Sequence, residues 1–203
     1  MAWLVAGLGN PGERYAQTRH NLGRMAVEEL ARDAGAFFKK VRFLPIEIAE
    51  VRIGDKPVVL ARSTRFMNEA GPSYASLARK RDIDRERFVA VHDELDLPSG
   101  VLRVKRGGGS AGHNGLRSLD GALGASDYLR VRIGIGRPPG RQEPADFVLQ
   151  PIGKKERADI AVLAGRAADA VRSLLEDGLE RTQDRFNGAA PSSSSRETPP
   201  RTN

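Results

Sequence analysis

The sequence predicts a single α/β domain whose sheet is covered by helices on both faces. Three observations lead to this prediction: the chain has 203 residues, 39% of them are hydrophobic, and strand-like and helix-like segments alternate along it. A chain of this length can form one domain with a real hydrophobic core. Strands that alternate with helices are typical of a sheet packed on both faces.

The first half of the chain begins with a strand, residues 3–6, that runs into the glycine-rich loop "GLGNPG". Residues 21–35 are predicted to form a helix because their apolar residues recur at helical spacing, with Asn21 as a cap at the start and Gly35 at the end. The next elements are two strands joined by a Gly-Asp turn and then a helix; they cover residues 42–54, 56–63 and 71–82.

The second half continues the alternation of strands and helices. The predicted elements are an apolar strand that ends in several polar residues (87–98), a strand of alternating pattern (100–106) and a glycine loop (107–112). They are followed by a helix (113–124), a second strand of alternating pattern (129–135) and a long helix (154–186). After Gly188 the composition changes to Ser, Pro and Thr. We therefore predict one domain over residues 1–188 and a disordered Ser/Pro-rich tail over residues 189–203.

The composition favours a polyanionic partner. The net charge is +7 and the pI is about 10.1, whereas aromatic residues make up only 5% of the chain. These values favour contact with phosphates over a base-stacking platform, although a basic surface without a partner has the same composition. The chain has no cysteine, which excludes disulfides and thiolate nucleophiles and is compatible with the cytoplasm. No apolar run approaches the roughly 20 residues that span a bilayer, so no membrane partner is expected.

The glycine-rich loop fits the pattern G-x-G-x-x-G of dinucleotide-binding turns. Such a turn needs an amphipathic helix directly after it and an acidic residue about 20 positions later at the end of a second strand. Here residues 18–21, "TRHN", form a polar run, and Asp33 falls inside a helical segment. A nicotinamide-dependent reductase, which would bind its cofactor here, is therefore disfavoured.

A second pattern, G-x-S-x-G around Ser110, is typical of the nucleophile elbow of a serine esterase. That fold needs an acid and then a histidine later in the chain, but only His113 follows, three residues on. A flexible glycine loop whose amides face an anion is the simpler interpretation.

The cluster "HDELD" could hold a metal, but its spacing matches no strong metal signature and the chain has only three histidines. Asp93 in this cluster directly follows the apolar residues of a predicted strand. Ligands of open α/β sheets bind beyond the carboxyl ends of the strands. Asp93 is therefore a candidate for orienting a catalytic base.

If the main strands are parallel, several polar loops meet in one crevice. They carry an imidazole, a carboxylate and three amides: His20, Asp93, Asn10, Asn68 and Asn114. This set can hydrolyse a substrate with an activated water, because the imidazole takes a proton, the carboxylate fixes its tautomer and the amides hold polar groups. A single asparagine in a loop is more often part of a turn or a cap than of a binding site, but three of them at loop positions beside His20 and Asp93 make that simpler interpretation less favoured.

Four blocks of the sequence closely resemble bacterial-type peptidyl-tRNA hydrolases. They are "GLGNPGERYAQTRHNLG", "FMNEAG", "HDELDLPSGVLRVKRGGGSAGHNGL" and "RVRIGIGRP", and they follow the order and spacing of that family. The resemblance implies a monomeric, cytoplasmic enzyme with a twisted, mixed and mostly parallel sheet and no cofactor or metal. It also implies hydrolysis of the ester between a peptide and the 3′ end of tRNA, which recycles tRNA from aborted translation.

The resemblance further implies a role for each matched residue. His20 would activate water, Asp93 would stabilise the base form of His20, and Asn10 would distinguish peptidyl from free aminoacyl ends. The residues implied to bind the substrate are Tyr15, Phe66, Met67, Asn68, His113 and Asn114, and those implied to grip the tRNA 5′ phosphate are Lys105 and Arg132. An inactive RNA-binding protein on the same scaffold is the alternative, and it should show damage at these positions, which this sequence does not.

Overall fold

The computed structural model describes residues 1–188, so the tail predicted for residues 189–203 lies outside the described residues. The strands are β1 (Trp3–Gly7), β2 (Lys39–Lys40), β3 (Ile46–Ile53), β4 (Lys56–Ser63), β5 (Phe88–Glu94), β6 (Leu102–Arg106) and β7 (Leu129–Gly134). The α-helices are α1 (Glu13–Ala16), α2 (Leu22–Asp33), α3 (Gly71–Lys80), α4 (Asn114–Leu123), α5 (Pro144–Leu149), α6 (Arg157–Glu176) and α7 (Leu179–Asn187).

All seven strands belong to one sheet with the order β2-β3-β4-β1-β5-β7-β6. The four central strands β4, β1, β5 and β7 run parallel to one another. Antiparallel strands complete both sides, since β3 pairs with β4 and β2, and β6 pairs with β7. The predicted mixed and mostly parallel sheet is confirmed.

Alternate residues of the central strands enter two hydrophobic cores on opposite faces of the sheet. In β5, Val89 and Val91 pack in the core that α2 and α6 cover, whereas Phe88 and Ala90 pack in the core that α3 and α4 cover. All residues of β5 are buried, as expected for a parallel strand between two layers of helices. The prediction of helices on both faces is therefore confirmed.

Two glycines allow α2 to lie directly on the sheet. A Cβ atom at Gly23 would lie 2.0 Å from the carbonyl oxygen of Val91, and one at Gly7 would lie 2.4 Å from Val27 Cγ2. The backbone of Arg24 also donates to the carbonyl of Leu8 at 2.9 Å. Gly7, at the end of β1, and Gly23, in α2, thus serve close packing, and this packing places the turn before α2 against β1 and β5.

Several predicted boundaries are wrong, and in each case the backbone turns inside an apolar or helical pattern. The strand predicted from residue 42 begins only at Ile46, because the chain folds back between β2 and β3 and Phe43 adopts a positive φ of 65°. The long C-terminal helix is two helices, α6 and α7, because Gly178, at φ 86°, separates them. The short helices α1 and α5 were not predicted. No helix among residues 1–188 has the length and apolar character required to cross a membrane.

Candidate active site

Asp93 binds two histidines that come from distant parts of the chain and whose rings lie 4.8 Å apart. Its Oδ1 and Oδ2 lie 3.0 and 3.1 Å from His20 Nδ1, and its Oδ1 lies 3.0 Å from His113 Nε2. His20 belongs to a single turn of 3-10 helix that precedes α2, Asp93 is the penultimate residue of β5, and His113 caps the start of α4. All three side chains are at least nine-tenths buried.

The hydrogen bonds define which imidazole nitrogens carry protons. His113 Nδ1 accepts from the backbone N–H groups of Gly115 and Leu116 at 3.1 and 3.2 Å, so its Nε2–H donates to Asp93. His20 donates its Nδ1–H to the same carboxylate, which leaves its Nε2 as the free acceptor.

Burial and charge act in opposite directions on this cluster. Burial lowers the pKa of His20, but the adjacent Asp93 carboxylate outweighs burial, so the pKa of His20 is raised above its ordinary value. Burial would raise the pKa of Asp93, yet His20 and His113 hold the pKa of this carboxyl far below its usual range. Asp93 is therefore ionised, and its charge favours a proton on His20.

His92 packs edge to face on His113, with their ring centroids 5.1 Å apart, but makes no hydrogen bond to the side chains of this cluster. Its Nδ1–H donates to the backbone carbonyl of Asp93 at 2.8 Å, and its buried Nε2 has no hydrogen-bond partner among the described residues. Burial, and then the neighbouring His113, hold the pKa of His92 well below its usual value, so this imidazole is neutral.

The place where a divalent ion would fit is not the one that the sequence suggested. One ligand atom from each of His20, Asp93 and His113 lies within 4.8 Å of the others, whereas His92 of "HDELD" does not belong to this group and binds the backbone carbonyl of Asp93. The same atoms are already joined by hydrogen bonds of 3.0 Å. The cluster is therefore satisfied by two imidazole N–H groups.

Asn10 is held rigidly beside His20 by Asn21. The Asn21 side chain accepts from the backbone N–H of Asn10 at 2.8 Å and donates to its carbonyl at 2.9 Å. Asn21 occupies the predicted N-cap position of α2, but its amide is used for this pairing and makes no cap hydrogen bond. Asn10 Oδ1 accepts from the backbone N–H of Met67 at 2.8 Å, which leaves its Nδ2 for a ligand.

Two pockets meet at His20. The larger, of about 470 Å³, has Asp93, Glu94 and His113 in its wall, together with Arg117 and Arg137. The smaller, of about 400 Å³, is lined by residues that the sequence implied as substrate contacts: Asn10, Tyr15, Phe66, Met67, Asn68 and Asn114. Asn114 lines both pockets.

The wall of the smaller pocket contains an aromatic pair that the sequence analysis identified and residues of α5 that it did not. Tyr15 and Phe66 meet edge to face with their centroids 6.1 Å apart. The missed group is on α5, which contributes Val148 to both pockets and Leu149 to the smaller one. Only the proline at the start of α5 marked this six-residue helix in the sequence.

Lys105 and Arg132 lie apart from both pockets, on β6 and β7. Arg132 contacts Glu94 Oε2 through Nε and Nη2, each at 3.1 Å, so its Nη1 remains for another anion. Burial, followed by the charges of Arg132 and Arg130, lowers the pKa of Lys105. These charges form a basic region on the β6–β7 side of the sheet.

The glycine loop of residues 107–112 reaches the site by a different route from the one that a parallel β6 would give. Because β6 is antiparallel to β7, the loop leaves β6 at the end of the sheet opposite Asp93 and returns across the face to His113. The side-chain hydroxyl of Ser110 on this loop makes no hydrogen bond to a histidine among the described residues; only its backbone carbonyl accepts, from the N–H of His113 at 2.8 Å. The geometry therefore gives no support to a serine nucleophile.

Three comparisons identify similar proteins. The family model of peptidyl-tRNA hydrolase matches residues 4–195. A peptidyl-tRNA hydrolase of Kineococcus radiotolerans is 52% identical over 196 residues, which cover 93% of this chain and 98% of the relative. One of Frankia alni is 51% identical over 185 residues, covering 91% and 93%. A crystal structure of peptidyl-tRNA hydrolase from Acinetobacter baumannii has a TM-score of 0.86 and 33% identity, and covers 94% of this chain and 97% of that chain.

Proposed function

Since the chain belongs to the peptidyl-tRNA hydrolase family and hydrolyses peptidyl-tRNA, we propose that His20 is the general base of the reaction. One observation carries this proposal: Asp93 holds Nδ1 of His20 at 3.0 Å while the ring lies where the two pockets meet. The opposite nitrogen, Nε2, is then the proton acceptor for a water in the cleft.

The reaction needs only water as a second reactant. The water oxygen attacks the ester carbonyl carbon while His20 Nε2 takes a proton from that water. The bond between the carbonyl carbon and the 3′ oxygen of the ribose then breaks, and the proton on Nε2 passes to this leaving oxygen. The products are a free peptide acid and a tRNA with a 3′ hydroxyl group.

Asp93 and His113 prepare the base for this step. The Asp93 carboxylate holds the tautomer in which Nε2 is unprotonated and stabilises the imidazolium that forms. His113 donates at 3.0 Å to Oδ1 of the same carboxylate, an oxygen that His20 also contacts, and the two imidazole rings lie 4.8 Å apart. We therefore assign His113 a positioning role, in addition to its place in the wall of the larger pocket.

The smaller pocket is suited to the peptide end of the substrate. Asn10 directs Nδ2 toward the ligand because Met67 occupies its Oδ1, and Asn68 and Asn114 add exposed amides. The aromatic pair of Tyr15 and Phe66 offers apolar contact to side chains of the peptide. The larger pocket, on the other side of His20, then receives the 3′ end of the tRNA.

The basic region supports a contact with the tRNA backbone outside the pockets. Lys105 and the free Nη1 of Arg132 would bind the 5′ phosphate, in agreement with the net charge of +7. Phosphate contacts fix the position of a nucleic acid without reading its bases. We propose that the enzyme works in this way as a monomer in the cytoplasm.

Replacing Asp93 tests the proposed mechanism. Asp93→Asn keeps the shape of the side chain but removes its charge, so we expect kcat for N-acetyl-aminoacyl-tRNA to fall about 10²- to 10⁴-fold. The Kd for uncharged tRNA should stay unchanged, because Asp93 is buried beneath the cleft. Asp127→Asn, at an exposed aspartate paired with Arg85, is the matched control and should retain full activity. Equal losses of kcat and tRNA affinity in Asp93→Asn would contradict the orienting role.

A further inference from the structure

Arg130 is a buried arginine that the proposed mechanism does not use. Only 1% of its surface is exposed. Its Nη1 donates to the carbonyl of Gly109 at 2.9 Å, and its Nη2 donates to the carbonyl of Ser126 at 3.3 Å and to Asp120 Oδ1 at 3.4 Å. Burial of a guanidinium is costly unless its contacts offset the lost hydration. The contacts of Arg130 therefore indicate what the residue is retained for.

The direction of β6 explains why the loop that follows this strand has to be held against the sheet by a side chain such as Arg130. Lys105 pairs with Arg130 across the β6–β7 ladder, and Asp93 pairs with Ile133 at the other end of β7. The chain that leaves β6 must therefore return over about three residues of strand, roughly 10 Å, to bring His113 to Asp93. The return segment crosses the sheet face from which Arg130 projects.

This return segment, the glycine loop of residues 107–112, has few other connections to the sheet. Its first residue, Gly107, donates to the carbonyl of Tyr128 at 2.9 Å, and at its far end the N–H of His113 donates back to Ser110 at 2.8 Å. Between these ends, Arg130 is the sheet residue that binds the loop among the described hydrogen bonds. The loop contains four residues with positive φ, including Ala111 at 46°. Such a backbone does not hold its shape through regular hydrogen bonding.

The two ends of the loop lie at two parts of the proposed site. At the start, a Cβ atom on Gly108 would lie 2.4 Å from Lys105 Nζ, so the loop backbone lies directly against this ammonium group. At the end, His113 donates to Asp93, and Asn114 lines both pockets. A shift of the loop would therefore move Lys105, which is proposed to bind the phosphate, together with His113 and Asn114 in the cleft.

We propose that Arg130 is a positioning residue that fixes the glycine loop to β7, and through the loop sets Lys105 relative to His113 and Asn114. This role rests on the proposed function of those three residues. Arg130 does not touch the substrate, because it is buried beneath the loop. Its charge and its Nη1 contact with Gly109 are the features that hold the loop in place.

The test compares Arg130→Met with Arg166→Met. Arg166 is the matched control because its Nη1 also donates to a glycine carbonyl, that of Gly100, at 2.9 Å, but away from the loop. Both variants are assayed with N-acetyl-aminoacyl-tRNA that carries either a 5′ phosphate or a 5′ hydroxyl, and rates are divided by the folded fraction from circular dichroism. Amide hydrogen exchange of residues 107–114 reports directly on the loop.

We expect Arg130→Met to lower kcat by about 10- to 100-fold. The ratio of kcat/KM for the 5′-phosphate substrate to kcat/KM for the 5′-hydroxyl substrate should fall toward one. Amide hydrogen exchange in the loop should become faster. Arg166→Met should keep the wild-type preference. Arg130→Lys, which keeps the buried charge, should show the same changes to a smaller degree and serves as the test if Arg130→Met does not fold.

Two outcomes would overturn the proposal. The first is that kcat per folded molecule of Arg130→Met equals that of the wild type. The second is that Arg130→Met is less stable but keeps the wild-type preference for the 5′-phosphate substrate. Either result would mean that Arg130 only stabilises the fold. If the wild-type enzyme itself shows no preference for the 5′-phosphate substrate, the proposal that Lys105 and Arg132 bind the 5′ phosphate is wrong. In that case kcat and loop exchange still decide whether Arg130 positions His113 and Asn114.

Discussion

At the scale of single residues, one carboxylate sets the protonation of the whole site. Asp93 is buried, and burial alone would raise its pKa, but the adjacent His20 and His113 hold its pKa far below the usual range. The resulting negative charge raises the pKa of His20 in spite of burial. The base is thereby made stronger although only 9% of its side chain is exposed.

This arrangement predicts a defined pH dependence of activity. The reaction needs unprotonated His20, and a raised pKa means that the proton is released only at higher pH. The acidic limb of kcat/KM should therefore have its midpoint above about 6.5 in the wild type, with activity rising as the pH rises.

The Asp93→Asn variant provides the comparison for that limb. Without the carboxylate, burial is the dominant effect on His20, so its pKa falls and the midpoint should move below about 6.5 while the plateau drops. The measurement is kcat/KM from about pH 5 to about pH 9. The same midpoint in both proteins would show that Asp93 does not control the titration of the base.

At the scale of elements, regular patterns predicted most of the fold. The four central strands and the helices α2, α3, α4 and α6 follow from their apolar patterns, because each helix buries one stripe in one of the two cores and each strand buries residues in both. The fold-back before Ile46 and the break at Gly178 were missed, because both interrupt a pattern at a single backbone position. Helix α5 was missed because six residues contain too few turns for a periodic signal.

The packing of α2 on the sheet yields a stability prediction. Gly23→Ala would place Cβ 2.0 Å from the carbonyl oxygen of Val91, so α2 must move away from β5. We expect the free energy of unfolding to fall by about 2–3 kcal/mol or more.

Gly121→Ala is the matched control for this substitution. Gly121 also lies within a helix, α4, but an added Cβ meets nothing within 4 Å. Here the free energy of unfolding should rise by about 0.5–1 kcal/mol, because alanine has the higher helix propensity. Urea denaturation measures both values, and a similar effect of the two substitutions would contradict the close approach of α2.

At the scale of the whole molecule, strand direction decides which distant residues meet. The expectation that parallel strands bring polar groups to one crevice is correct for the loops after β1 and β4, which carry Asn10, His20 and Asn68 to the same pocket. It is also correct for the end of β5, which places Asp93 against His20. It is not correct for β6, which is antiparallel. The roles of His113 and Arg130 depend on that reversal, and local sequence patterns do not specify strand direction.

The charge distribution predicts how salt affects the enzyme. Lys105→Ala and Arg132→Ala should each raise KM for N-acetyl-aminoacyl-tRNA and reduce the slope of log(kcat/KM) against log salt by about one. Lys39→Ala is the control, because Lys39 is an exposed lysine on β2, at the opposite edge of the sheet. A slope that changes equally in all three variants would mean that tRNA is attracted by overall charge rather than gripped at β6 and β7.

The central claim is that His20 removes a proton from the attacking water. The most direct test is the rate at which the wild type and His20→Ala cleave N-acetyl-aminoacyl-tRNA, with free aminoacyl-tRNA as the control substrate and tRNA Kd measured alongside. We expect the wild type to cleave only the blocked substrate, and His20→Ala to lose about 10²- to 10⁴-fold in kcat while it binds tRNA normally. A variant that cleaves at the wild-type rate, or a wild type that cleaves both substrates equally, would contradict this account of the site.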